Sequence, residues 1–355
     1  MSALSGGVFG TSAAGDDLAD LRRLAEDIGE RSFDERIGHR GLPDHFDWTA
    51  WRHLEDAGLT RLTSDPESGG GPTELALVLR AMARHAVTVP LAETDVLAGW
   101  LAATAGLDVP ASGPLTVAIG DAHDAVVPAV PYASGADAVV LALRDGDRLR
   151  VAVADPARLT ITPGHNLGGE PRDTVTVALP ADAFVVLDDA AGELARRGAW
   201  ARCVQAIGAL DAAVEFAVAH TREREQFGRP LSAFQAVQHA LASMAGEVER
   251  ARAAASLAVA AAAEHGFDSP QADYAVTVAK VVLGRVAPAV VTAAHQLHGA
   301  IGVTIEHRLW LVTMRARSWV DEFGDTAHHA RRLGRLALAT ARTGDPWDVI
   351  VGDLG

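Results

Sequence analysis

The sequence predicts an α+β multidomain chain in the order helices, a small antiparallel sheet, helices. Three observations carry this. Up to about residue 105, apolar residues recur at helical spacing. Between residues 113 and 189 they alternate with a period of two. Beyond Asp189 helical spacing returns in long runs. A length of 355 residues suits two or three domains better than one small core.

Residues 1–15 read as a flexible tail. From Asp16, the positions Leu18, Leu21, Leu24 with Ala25, and Ile28 fall on one helical face. A second helix from about Asp47 puts Trp48, Trp51 and Leu54 together and stops at Gly58, which tolerates the left-handed turn that ends helices. Residues 64–72 are rich in Ser, Gly, Asp and Pro and read as a loop. Helices from Thr73 to about Val87 and from about Leu91 to Ala105 complete an N-terminal helical domain, residues 16–112.

In the middle domain, residues 113–189, Leu115, Val117 and Ile119 alternate. Ala138–Leu143 and Leu149–Val153 flank Asp145–Gly146, a dipeptide suited to a tight hairpin turn. Leu159–Thr162, Thr174–Val177 and Phe184–Leu187 continue the pattern.

In the C-terminal region, residues 190–345, Cys203, Ile207, Leu210, Val214 and Ala217 mark one helical face. Phe234, Val237, Leu241, Met244 and Val248 mark the next. Ser269–Pro270 supplies a cap followed by proline at the first helical position. The helix it opens runs to about His298, with a kink expected at Pro288. Gly299–Ala300–Ile301–Gly302 breaks it. Helices follow from about Ile305 to Phe323 and from Thr326 to about Arg342, and residues 346–355 form a tail.

A net charge of −15 argues against nucleic acid or an anionic membrane surface as partner. The single cysteine, Cys203, excludes a disulfide framework or a cysteine metal site. His295 and His298 have no carboxylate at helical spacing to complete a metal site, so no metal is expected. The first residues lack a basic then apolar leader. The apolar run Ala253–Ala263 is well short of the ~20 residues a membrane span needs. The expectation is a cytoplasmic protein.

Three motifs point to function. The first is Arg224–x–Gln226–Phe227–Gly228–x–Pro230–Leu231–x–x–Phe234–Gln235. The second is Gln296–Leu297–His298–Gly299–Ala300–Ile301–Gly302–x–x–x–Glu306, and the third is Arg315–Ala316–Arg317 on the following helix. Their residue types suit a dinucleotide. Arg224 can pair bidentately with a pyrophosphate, Gln226 offers amide hydrogen bonds, and Phe227 offers an apolar face. Glycines after Gln296 let backbone approach a phosphate or ribose closely.

In order and spacing these motifs resemble the acyl-CoA dehydrogenase family, most strongly from Ala199 to Leu338. The resemblance implies an N-terminal helical domain, a middle β-domain and a C-terminal four-helix bundle. It implies FAD as cofactor, and contacts from Arg224, Gln226, Phe227, Gln235, Gln296, Gly299 and Ala300 to the FAD of a neighbouring subunit. The implied reaction is α,β-dehydrogenation of an acyl-CoA thioester, with electrons passing to an electron-transfer flavoprotein. The implied assembly is a homo- or hetero-oligomer of such subunits.

That chemistry needs a carboxylate in a dry pocket, where its pKa rises toward that of the acidified α-carbon. In many members the base is the Glu of a Tyr-Glu-Gly-Thr turn. Ungapped counting puts that position on Phe323, and a one-residue gap puts it on Glu322, the candidate base. The alternative position on an earlier helix falls on Gly198, and Asp325 reads as a helix cap. The family's Thr-Glu-Pro…Gly-Ser-Asp and Trp-Ile-Thr stretches, which hold the flavin ring, are replaced by Ala118–Asp121 and Val127–Tyr132. The leading reading is therefore an FAD-dependent acyl-CoA dehydrogenase. The alternative is a non-catalytic subunit that completes a partner's FAD site. A scaffold without flavin is a third reading, against which Arg224, Gln226, Phe227 and Gln296 weigh.

Overall fold

The computed structural model describes residues 9, 16–36, 41–42, 44–304, 307–340, 345 and 347. Among these, helix α1 spans Asp16–Arg36 and α2 Trp48–Asp56. Asp47 caps α2 by accepting the Ala50 N–H at 3.0 Å. In α3 (Pro72–Arg84), proline opens the helix and Glu74 reaches back to the Gly71 N–H at 2.9 Å. The predicted fourth helix is wider than expected: a π-helical stretch, Glu93–Gly99, runs into α4 (Trp100–Ala105). Glu93 and Asp95 on this stretch are both buried.

Seven strands follow: β1 (Leu115–Asp121), β2 (Val126–Pro131), β3 (Ala138–Asp145), β4 (Arg148–Ala154), β5 (Thr160–Thr162), β6 (Arg172–Thr176) and β7 (Val185–Asp188). They form two sheets, ordered β1–β3–β4–β7 and β2–β6–β5. One expectation needs correcting. The sheet is not wholly antiparallel, because β1 pairs with β3 in parallel, Leu115 opposite Ala138. The chain between them crosses to the second sheet as β2, and such a crossover brings it back in the same direction. β2 itself escaped the sequence reading because it carries Pro128 and Pro131 and its register is broken between Val127 and Val130. The β3–β4 hairpin turns at Gly146–Asp147, with Gly146 at φ +62°, one residue later than the Asp145–Gly146 signal because Asp145 still pairs with Arg148.

The C-terminal part comprises α5 (Ala190–Glu223), a two-stranded hairpin of β8 (Glu225–Gln226) and β9 (Arg229–Pro230), then α6 (Gln235–His265), α7 (Pro270–His298), α8 (Arg308–Asp321) and α9 (Thr326–Thr340). α5 is the central pillar. Every residue from Gly198 to Ala213 is buried, and the helix packs on α3, α6, α7 and α8. A helix that is apolar all round belongs inside a core. α5 and the segment Pro270–Val303 are long and apolar enough to cross a membrane, yet 67% and 56% of their most apolar stretches are buried within the protein. α7 runs unbroken through Pro288.

Candidate cofactor cleft and active-site seam

The first motif forms the hairpin at the end of α5. Phe227 and Gly228 at its tip have φ of +55° and +76°, the geometry a two-residue turn demands. The ends of α5 and α7 lie beside this hairpin, and Gly299 leaves α7 with φ +66°. Between them opens a cleft of about 750 Å³. Arg224, Gln226, Gln296, Gly299 and Ala300 all line it, so two motifs some seventy residues apart meet at one place. An added side chain at Gly299 would meet nothing, so backbone there is open to a ligand. Phe227 and Gln235 do not line the cleft. Phe227 is 89% exposed at the hairpin tip, edge-on to Phe234, whose ring also carries the Arg229 guanidinium at 4.0 Å. Gln235 is exposed at the start of α6. Glu306 lies outside the described residues. His298 of the second motif also lines the cleft, together with His220 and His307, which lie outside the motifs.

A second cavity, about 780 Å³, lies on the seam between the β-sheets and the helices. Val117 and Ile119 of β1 and Pro128 and Pro131 of β2 form one wall; Arg202, Arg317, Ser318, Glu322 and Phe323 form the other. Its floor is a chain of buried charges drawn from all parts of the fold. Arg202 on α5 donates from Nη2 to Glu93 at 2.6 Å and from Nε to Glu322 Oε2 at 2.6 Å. Arg172 on β6 donates from Nη2 to Glu322 Oε1 at 2.8 Å and lies 3.5 Å from Glu170. Asn166 donates to Glu170 at 2.7 Å.

Glu322 therefore carries two guanidiniums. Burial alone would push its carboxyl up; Arg172 and Arg202 outweigh that and bring it down to about 2. Both guanidiniums are raised above their ordinary value, since the surrounding carboxylates outweigh their burial. The direction at Glu322 is opposite to the one a dehydrogenase base requires. Lys280 fixes the same segment from below. Its ammonium, buried on α7, donates to the carbonyls of Val320 at 2.7 Å and Glu322 at 2.6 Å, holding the end of α8.

The two other base positions meet in space. A side chain added at Gly198 would fall 2.2 Å from the Phe323 ring, so Phe323 lies directly on Gly198. Phe323 adopts φ +57°, a strained conformation for a bulky residue, and the Arg202 guanidinium sits 5.7 Å from its ring. Neither residue can accept a proton. Asp325 accepts the His328 N–H at 2.7 Å at the start of α9, which is capping geometry.

The family description "Acyl-CoA dehydrogenase, C-terminal domain" matches residues 190–337. The chain is 30% identical over 308 residues to acyl-CoA dehydrogenase IpdE2 of Mycobacterium tuberculosis, covering 81% of this chain and 86% of that protein. It superposes on a chain of the ChsE4–ChsE5 complex from Mycobacterium tuberculosis with a TM-score of 0.79 at 24% identity, over 92% of this chain and 98% of that one. A Tcur3481–Tcur3483 steroid ACAD variant gives a TM-score of 0.77 at 25% identity, over 93% and 99%. Fold, motifs and sequence together define the class: the chain belongs to the acyl-CoA dehydrogenase family. Members of that family bind FAD.

The residues present fit FAD unequally. The cleft at Arg224 fits its adenosine diphosphate end, with a guanidinium, two side-chain amides and an open glycine backbone converging there. In the seam cavity the β2 stretch offers Pro128 and Pro131, which have no N–H to give a flavin edge, and the polar groups nearby are the side chains of Arg144, Asn166 and Arg172, the last already paired with Glu322.

Proposed function

We propose that this chain is the non-dehydrogenating, cofactor-completing subunit of a heteromeric acyl-CoA dehydrogenase. One observation carries the reading: Phe323 and Gly198, the two positions where the family resemblance seats a base, are packed on each other. The adjacent carboxylate, Glu322, is committed to two arginines. A carboxylate with a pKa near 2 has little drive to take a proton from carbon. This favours the subunit over the stand-alone enzyme.

In the assembly, FAD bound on a partner supplies hydride acceptance. Arg224 neutralises its phosphates, Gln226 and Gln296 orient its polar groups, and the Phe227 hairpin closes against the partner's surface. The acyl-CoA and the electron-transfer flavoprotein are engaged by the complete assembly. The relatives named as the ChsE4–ChsE5 complex and Tcur3481–Tcur3483 are themselves pairs of chains, which supports a heteromer.

The test is purification of the full chain alone and together with a family member that carries a base. Colourless protein alone and flavin bound only in the complex is the expected result. A yellow chain that dehydrogenates an acyl-CoA by itself would overturn the proposal.

A further inference from the structure

A third cavity, about 360 Å³, lies between the start of α2 and the loops that follow β2 and β5. It shares no lining residue with the cofactor cleft or the seam. One wall is aromatic. Trp48, the first residue of α2, is 49% exposed, and its ring lies 4.2 Å from that of Phe46, which meets Tyr132 edge-on. Gly135 makes room for this wall: a side chain there would fall 3.1 Å from the Phe46 ring.

Two carboxylates lie beneath the cavity. Asp44 is neutralised by Arg36 at 2.5 Å and Arg315 at 3.0 Å. Asp173, at the start of β6, is only 1% exposed and has no cationic partner among the described residues. It accepts the backbone N–H groups of Ser134 at 2.8 Å and Gly164 at 3.3 Å. These bonds clip two loops together but supply no counter-charge. A carboxylate buried without one is costly. A cation in the adjoining cavity offsets that cost through the low-dielectric floor, without touching the carboxylate.

The remaining chemistry selects the kind of cation. Aromatic faces attract cations, and Trp most strongly. Asp44 and Asp173 are too deeply buried to accept a hydrogen bond from a ligand, so a primary ammonium would give up water here without replacement. A quaternary ammonium has no N–H to leave unpaired. An anion finds few donors: Pro163 and Pro171 have no N–H, and those of Ser134 and Gly164 already serve Asp173.

We propose that this cavity binds a quaternary ammonium group, seated on the Trp48 ring and drawn in by the charge of Asp173. The site is independent of the cofactor cleft and of the subunit role proposed above.

The test is calorimetric titration of the full chain with three probes. Choline carries the quaternary ammonium, ethanolamine carries a primary ammonium on the same alcohol, and dimethylbutanol is the uncharged carbon analogue of choline. The wild-type chain binds choline about tenfold more tightly than either of the others. Trp48→Leu keeps an apolar side chain but removes the ring, and choline then binds no better than the uncharged alcohol. Asp173→Asn weakens choline about tenfold and leaves the uncharged alcohol unchanged. Because Asp173 also clips two loops, the comparison of probes on the wild-type chain is decisive whether or not that variant folds. In wild-type spectra the indole N–H resonance of Trp48, identified by its loss in Trp48→Leu, shifts with choline. Choline that binds no better than the uncharged alcohol, or that leaves the Trp48 resonance in place, overturns the proposal. Ethanolamine that binds as tightly as choline overturns the selection for a quaternary group.

Discussion

Replacing Glu322 by Gln tests whether this carboxylate is a structural charge or a base. The amide keeps the size and removes the charge shared by Arg172 and Arg202. Arg202 retains Glu93 at 2.6 Å, whereas Arg172 keeps the Pro171 carbonyl at 2.9 Å and, among carboxylates, a 3.5 Å contact with Glu170, so the loss of charge pairing falls mainly on Arg172. The carboxyl falls from 4.5 to about 2 on folding. At about 1.36 kcal/mol per pH unit this corresponds to at most about 3 kcal/mol of stability, because a quarter of the Glu322 side chain stays exposed to solvent. Because the folded pKa is the lower one, this stability is complete above pH 4.5 and is lost as pH falls toward about 2. Urea denaturation of the full chain is the assay. The variant should lose up to about 3 kcal/mol at pH 7, and the gap to wild type should close through the acid window. An unchanged urea midpoint, combined with lost turnover in the assembled dehydrogenase, would show that Glu322 serves chemistry and not structure.

Three further outcomes follow from the same geometry. Gly198→Ala drives a methyl into the Phe323 ring, and overpacking of this kind costs about 1–3 kcal/mol, read as a lower thermal midpoint. Lys280→Met leaves the Val320 and Glu322 carbonyls without their buried donor; a loss of about 2–4 kcal/mol in urea is expected, with faster hydrogen exchange at the end of α8. Phe227→Ala changes the stability of the isolated chain by less than about 0.5 kcal/mol, because the ring is 89% exposed, but weakens assembly with a flavin-bearing partner in analytical ultracentrifugation.

Much of the fold was legible because local rules and tertiary packing agree. Ser269 caps α7 through the Ala272 N–H at 3.1 Å, and the β3–β4 hairpin turns at Gly146–Asp147, one residue beyond the Asp145–Gly146 signal. Where the reading departed from the structure, a long-range effect intervened. β2 pairs with β6 despite its prolines, with its register broken between Val127 and Val130, and the parallel pairing of β1 with β3 depends on where β2 goes. The π-helical stretch at Glu93 leaves no periodic signature in seven residues. The cofactor motifs were legible as residue types, but the packing of His298 against His220 and His307 was not, since His220 comes from an element far from the other two in the sequence.

The sequence by itself determined the layered order of elements, the absence of a disulfide and the two motifs that meet at the cofactor cleft. These depend on periodicity, composition and spacing, which are local. Only the tertiary structure decided what Glu322 is. In the sequence it is a carboxylate one residue from a base position; in the fold it stands between Arg172 and Arg202, residues 150 and 120 positions away. A charge's protonation is set by the field and the solvent around it, and both are supplied by parts of the chain that only folding brings together.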